Sequence, residues 1–231
     1  MSSSAVMRTE KLQKVYRTGA TETPALRGVD LELEEREFTA TAGPSGSGKS
    51  TLLHLLGGLD RPTDGEIYLD GRAMSGLSKD ELARLRLTRI GFVFQAYNLI
   101  PVLTVVENTA FVLELQGIPY RERIRRARAI LAELGVDKYA HQFPNKLSGG
   151  EQQRVAVARA VVSDPAIVLA DEPTANLDTK TSLDLIDLMR RMNEEHETTF
   201  LFATHDTRLL DRVDRVIHLE DGRIARDERV R

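Results

Sequence analysis

The sequence predicts an α/β fold: a parallel sheet built around a phosphate-binding loop, preceded by short N-terminal strands and interrupted by a block of helices. Three observations carry this. Gly43-Pro44-Ser45-Gly46-Ser47-Gly48-Lys49-Ser50 fits G-x-x-x-x-G-K-[ST] at each fixed position. The motif stands between a strand-like segment and a leucine-rich helical one, the context it requires. Beyond it, strand-like and helix-like segments alternate towards the C-terminus, as in a parallel sheet.

The elements follow in order. Residues 5–36 read as short strands and turns: a strand at 6–16, a loop with Gly, Thr and Pro, then Leu31-Glu32-Leu33-Glu34 with period-two alternation. Phe38–Ala42 feeds the phosphate loop, although Thr39 and Thr41 make it less aliphatic than most such strands. A helix is expected over 50–59, with Leu52, Leu55, Leu56 and Leu59 on one stripe. Asp64-Gly65 and Asp70-Gly71 bracket a strand at 66–69. Ser78-Lys79-Asp80-Glu81 fits a capping box and starts a helix running towards Thr88.

A buried strand is expected at 90–95. Residues 99–160 read as mainly helical, with Ile124, Ala127, Leu131 and Leu134 on one face. A strand at 167–170, a helix at 179–197 carrying Leu185, Leu188, Met189 and Met192, and a strand at 199–203 follow. A helix and a final hairpin close the chain. With no internal repeat and no low-complexity linker, residues 1–231 are expected to form one domain, its helical part inserted at roughly 96–162.

Composition narrows the function classes. Of 231 residues, 41% are apolar and 29% charged, ordinary for a soluble globular chain. A net charge of −3 leaves no electrostatic footprint for nucleic acid, and no nucleic-acid partner is expected. The chain has no cysteine, which excludes disulfides, thiolate zinc sites and cysteine nucleophiles. Met1-Ser2-Ser3-Ser4-Ala5-Val6-Met7-Arg8 lacks the apolar core of a secretory signal. No uninterrupted apolar stretch approaches the roughly 20 residues that span a bilayer. Arg121, Arg123, Arg125, Arg126 and Arg128 are interleaved with Glu122 and backed by an apolar stripe, which favours a solvated helix face.

The phosphate loop carries the clearest chemistry. A phosphate tail is a dense anion; glycines at 43, 46 and 48 let backbone N–H groups turn inward, and the following helix adds the positive end of its dipole. Lys49 supplies a cation for the β- and γ-phosphates, the Ser50 hydroxyl suits Mg²⁺, and Thr51 is placed for the α-phosphate. Pro44, Ser45 and Ser47 complete the loop, so ATP with Mg²⁺ is the expected ligand. Asp171 and Glu172 end the strand at 167–170, and carboxylates at the carboxyl end of a parallel strand lie beside the ligand crevice. A second motif, Leu147-Ser148-Gly149-Gly150-Glu151, places a serine and two glycines at a helix start and forms a second anion site by the same logic. One chain with two phosphate sites either binds two tails or shares two nucleotides with a twin.

Together the phosphate loop, Leu147-Ser148-Gly149-Gly150-Glu151 and Asp171-Glu172 resemble the ATP-binding cassette of ABC transporters, over nearly the whole chain. The resemblance implies a RecA-like P-loop NTPase core with an N-terminal antiparallel β subdomain and an inserted α-helical subdomain. It implies that Asp171 holds Mg²⁺ and that Glu172 polarises the attacking water. His205, in Ala203-Thr204-His205-Asp206, resembles the histidine that contacts the γ-phosphate; the other four histidines read as surface or core residues. Gln95, after Phe92-Val93-Phe94, resembles the glutamine that touches Mg²⁺ and begins the surface facing a membrane partner. Tyr16 resembles the aromatic that stacks on adenine. In the family two subunits pack head to tail on ATP, so Ser148, Gly149 and Gly150 would close the twin's nucleotide. Asn176-Leu177-Asp178 resembles the D-loop lining that shared surface.

Within the family, Leu52-Leu53-His54-Leu55-Leu56-Gly57-Gly58-Leu59-Asp60 and Asn98-Leu99-Ile100-Pro101 are similar to the LolD-like ATPases and their MacB- and FtsE-like relatives, as is Ala170-Asp171-Glu172-Pro173-Thr174. Ala175 departs from the glycine these relatives usually carry. The resemblance implies a peripheral subunit on the cytoplasmic face of the inner membrane, paired with a separate transmembrane permease; the expected docking surface is the groove between the nucleotide core and the helical insertion, near residues 95–103. Importer ATPases share every catalytic motif, and soluble ABC ATPases form a third alternative.

Overall fold

The computed structural model describes residues 5–19 and 21–230; residues 1–4 of the N-terminal stretch read for a secretory signal lie outside them. Two sheets organise the chain. The first is antiparallel, in the order β2-β1-β4-β5, from β1 (Ala5–Thr18), β2 (Thr21–Glu34), β4 (Asp64–Leu69) and β5 (Arg72–Ala73). The second has the order β10-β9-β3-β8-β7-β6, from β3 (Phe38–Ala42), β6 (Ile90–Val93), β7 (Ile167–Asp171), β8 (Thr199–Thr204), β9 (Arg215–Glu220) and β10 (Arg223–Arg229). Its neighbours from β9 to β6 pair in parallel, and only β10 runs antiparallel at the edge.

The inner strands β3, β7 and β8 are buried on both faces, so they read as apolar runs and not as alternation. All residues of β3 and β8 are buried. Side chains still alternate between two cores with period two. Phe38, Val168, Phe200 and Phe202 join the core under the helical block. Ile167, Leu169, Leu201 and Ile217 join the core shared with α1 (Lys49–Leu56) and the antiparallel sheet. Thr39 and Thr41 are fully buried, and the Thr41 hydroxyl donates to the Phe202 carbonyl at 3.4 Å.

Several boundaries differ from the sequence reading. The expected loop before Leu31 is strand: β2 starts at Thr21 and pairs with β1 through Val15↔Pro24. Proline is tolerated because β2 is an edge strand, where its missing donor breaks no second ladder. Helix α1 ends at Leu56 with Gly57 as its cap, so Leu59 leaves the stripe and is 46% exposed. The strand expected at 90–95 stops at Val93. The helical block comprises α3 (Val105–Leu115), α4 (Tyr120–Glu133) and α5 (Gly149–Val161), and Ala127, Leu131 and Leu134 are buried as expected. The last expected helix is a 3-10 turn, Thr207–Arg212.

The capping box at Ser78 and Glu81 forms at the head of α2 (Lys79–Arg89). Two more form that the sequence shows equally well once sought: Thr104 with Glu107 on α3, and Ser148 with Glu151 on α5. Helix α6 (Thr179–His196) is capped by Asp178.

Candidate nucleotide site

A cleft of about 480 Å³ opens where β3, β7 and β8 end, lined by the phosphate loop, Gln95, Glu172, Ala175 and His205. The loop's shape depends on absent side chains. At Gly48, φ is 105° and a Cβ would lie 2.6 Å from the Ala25 carbonyl oxygen. At Gly43, a Cβ would lie 2.2 Å from the Leu219 carbonyl oxygen. No other residue fits such left-handed, closely approached backbone without displacement. Ser45, Gly46, Ser50 and Thr51 also line the cleft, while Pro44 accepts from within the loop.

Lys49 is the buried cation of the site. Its Nζ donates to the Gly43 carbonyl at 2.8 Å and the Pro44 carbonyl at 3.0 Å, which holds the ammonium inside the loop. The Ser50 hydroxyl donates to Asp171 Oδ1 at 2.8 Å. His54 Nε2 stands 3.8 Å from Asp171 Oδ2, a neighbour the sequence reading assigned to surface or core. The available signal was the spacing: Ser50 and His54 are four apart on one helix and share a face. His205 Nδ1 lies 2.7 Å from Glu172 Oε2, joining the ends of β7 and β8. Glu172 has φ 48°, a left-handed conformation that is uncommon for a non-glycine residue and concentrated at functional sites.

Ser47 is 3% exposed, and its Oγ has no hydrogen-bond partner. It is not among the residues that line the cleft. Ser50, Asp171 and Gln95 bring hard oxygen donors to the same cleft, a set suited to Mg²⁺.

Residues 26–175 match the family model for ABC transporters. The chain belongs to the ABC transporter family. A LolD lipoprotein-releasing system ATP-binding protein of Hydrogenovibrio crunogenus is 44% identical over 95% of this chain and 96% of its own length. An uncharacterised ABC transporter ATP-binding protein of Thermotoga maritima is 46% identical over 97% of this chain and 95% of its own. Among solved structures, a dimeric post-hydrolysis state of the cassette MJ0796 bound to ADP and Pi is similar, with TM-score 0.90 and 42% identity over 97% of this chain and 99% of that one. This chain therefore has the ABC cassette fold, is similar to the LolD/MacB-like group, binds nucleotide and is an ATPase.

The second motif stands apart from the cleft. Ser148 and Gly150 line a separate hollow of about 210 Å³ with Lys138, Arg154 and Thr181, and the two sites share no lining residue. The Ser148 hydroxyl donates to Glu151 Oε2 at 2.8 Å and accepts from the Glu151 N–H at 3.4 Å. Hydrogen bonds from the Tyr139 hydroxyl and then the Ser148 N–H hold the Glu151 carboxyl below the usual range. The cap therefore already places a carboxylate at the dipole's positive end. Gly150 packs on the head of α6, where a Cβ would lie 2.6 Å from Thr181 Cγ2. Asp178 caps α6 through the Thr181 N–H at 3.0 Å and is likewise not in the cleft.

Tyr16 is outside the cleft lining as well. It lies on β1, 39% exposed, with its hydroxyl donating to Asp60 Oδ2 at 3.1 Å and Lys14 Nζ 4.9 Å from its ring centroid. Ala25, which the sequence did not single out, lines the cleft from β2. Ala175 has none of the positive φ that would demand glycine, so the departure from the family pattern is unstrained. Of the stretch expected to dock a partner, Leu99 packs against the core and Tyr97 is half-buried, while Val102 is 76% exposed.

Proposed function

We propose that this chain is the motor subunit of an export or extrusion complex, closing as an ATP-dependent homodimer on the cytoplasmic face of a membrane beside a separate transmembrane subunit. One observation carries the reading. The cleft holds a complete set for binding and cleaving a phosphate chain, while Ser148 and Gly150 line a separate hollow of the same chain. A second copy packed head to tail would bring that hollow over the first copy's cleft. The dimeric form described for MJ0796 supports the arrangement, and the LolD similarity supports the export assignment.

In the closed dimer the loop amides and Lys49 hold the phosphates and offset the charge that develops as the terminal phosphoryl leaves. Glu172, fixed by His205, accepts a proton from the attacking water. The water oxygen forms its bond to the γ-phosphorus as the bridging P–O bond breaks and ADP departs. Ser50, Asp171 and Gln95 would hold Mg²⁺, which supplies charge neutralisation at the phosphates when bound. Tyr16 is assigned to the adenine and Asp178 to the dimer surface. Residues 1–231 act as one cassette.

An apolar groove of about 600 Å³ separates the helical block from the core, lined by Leu59, Leu87, Phe92, Phe94, Val112 and Leu115. Leu59 and Leu115 are 46% and 58% exposed, which a partner would cover. It is the groove expected to dock the partner, although of residues 95–103 only Asn98 lines it. Among the described residues no helix is long and apolar enough to cross a membrane. Sedimentation of Glu172→Gln with and without ATP tests the central claim: a dimer should accumulate only with ATP, and a nucleotide-independent dimer contradicts it.

A further inference from the structure

The turn after Gln95 carries two consecutive left-handed non-glycine residues, Tyr97 at φ 60° and Asn98 at φ 51°. Such backbone is held only where its surroundings over-determine it. The holder is Arg159 of α5, whose Nη2 donates to the Tyr97 carbonyl at 2.9 Å and Nη1 to the Asn98 carbonyl at 2.6 Å. Burial pulls this guanidinium's pKa below its usual value. The other end of α5 meets the same turn. A Cβ on Gly149 would lie 2.7 Å from Tyr97 Oη, while the ring's Cζ and Leu177 Cδ2 would both be at an ordinary 3.7 Å. Gln95 itself is tied across the cleft, its carbonyl accepting from Asn176 Nδ2 at 3.0 Å.

We propose that residues 96–98 form a clasp through which α5 positions Gln95, with Tyr97 seated on Gly149 and Arg159 gripping the turn as positioning residues. Gly149 then has a role within its own chain: it makes room for one hydroxyl. Its backbone is not left-handed, and alanine is a better helix former than glycine, so nothing local forbids Gly149→Ala. The clasp matters to catalysis through Gln95, and in that respect it rests on the reading of Gln95 as a nucleotide-site residue.

The test is a rescue experiment on the full chain, reading kcat and KM for ATP, direct nucleotide affinity and thermal unfolding. Gly149→Ala should lower kcat at least about tenfold, as small misplacements near reacting groups do, and leave KM and nucleotide affinity unchanged. Tyr97→Phe alone should be near normal, since its ring keeps the seat. The double variant Gly149→Ala/Tyr97→Phe should recover most of the lost kcat. A normal kcat in Gly149→Ala overturns the clasp, as does a double variant no better than Gly149→Ala, which would place the glycine's role in a contact outside its own chain. Arg159→Met keeps the aliphatic stem without donors; it should be folded with reduced kcat and unchanged KM, and a normal kcat overturns the proposal independently. Gln95→Ala separates the premises: if it retains full kcat, the assignment of Gln95 has failed; if it loses kcat and no rescue occurs, the clasp alone has failed.

Discussion

Lys49 and Glu172 show how much of the site is decided atom by atom. Lys49 is 7% exposed and bonded only to carbonyls of its own loop, so its positive charge is free to meet an anion. Lys49→Ala should abolish tight ATP binding, read directly by a nucleotide-binding assay; unchanged affinity would remove the phosphate loop from the argument. Glu172 combines a strained backbone with a carboxylate fixed by His205. Glu172→Gln keeps the shape and removes the base, so hydrolysis should fall by about 10²–10⁴-fold while ATP stays bound. Near-normal turnover would move the base to another group, with His205 first in reach.

Three helices begin with the same reciprocal device, and its consequences differ by position. At α3 the Thr104 N–H and hydroxyl reach Glu107 Oε2 at 2.8 and 2.6 Å, far from the cleft lining. Thr104→Ala should cost about 1 kcal/mol, or roughly 2–4 °C in melting temperature for a chain of this size, with ATPase activity retained. The Thr104 hydroxyl and N–H hold the Glu107 carboxyl below the usual carboxylate range. A lowered folded-state pKa stabilises above the unfolded value and is lost as pH falls through the folded one, so Thr104→Ala should cost more at neutral pH than in acid. A pH-independent difference in melting temperature would contradict that linkage. At α5 the same box involves Ser148, so Ser148→Ala would mix a lost cap with a lost contact. Ser148→Arg loses the same cap but adds bulk and charge at the helix start, so intact nucleotide affinity in the monomer is its control.

Two cores meet at one sheet. The cleft draws on β3, β7, β8 and the end of β6, whereas the Ser148 hollow belongs to α5, α6 and the turn after α4. Ser148→Arg should therefore block ATP-driven dimerisation by sedimentation and leave nucleotide affinity of the monomer intact; loss of both would mean the two sites are not separate. The groove between core and helical block gives the corresponding probe for the membrane partner. Leu115→Asp should preserve ATPase activity of the isolated chain and abolish stimulation by the transmembrane subunit. Normal assembly and normal stimulation would send the docking site elsewhere.

The sequence by itself determined the phosphate loop, the carboxylates after β7, the parallel sheet and the ABC family, because these are written in local order. A glycine spacing, an aliphatic run and a terminal acid are each read within a few residues. It also contained the Thr104 and Ser148 capping boxes, which are local too. Only the tertiary structure decided that Gly149 seats Tyr97, that Arg159 grips the turn at 97–98, that His54 faces Asp171 and that Leu59 and Leu115 share a groove. It also turned the expected loop before Leu31 into an edge strand. Each of these joins residues from different elements, and the left-handed backbone at Glu172 and Tyr97 has no sequence mark of its own. Strain of that kind exists only because distant groups hold it, so it becomes legible when those groups are in place.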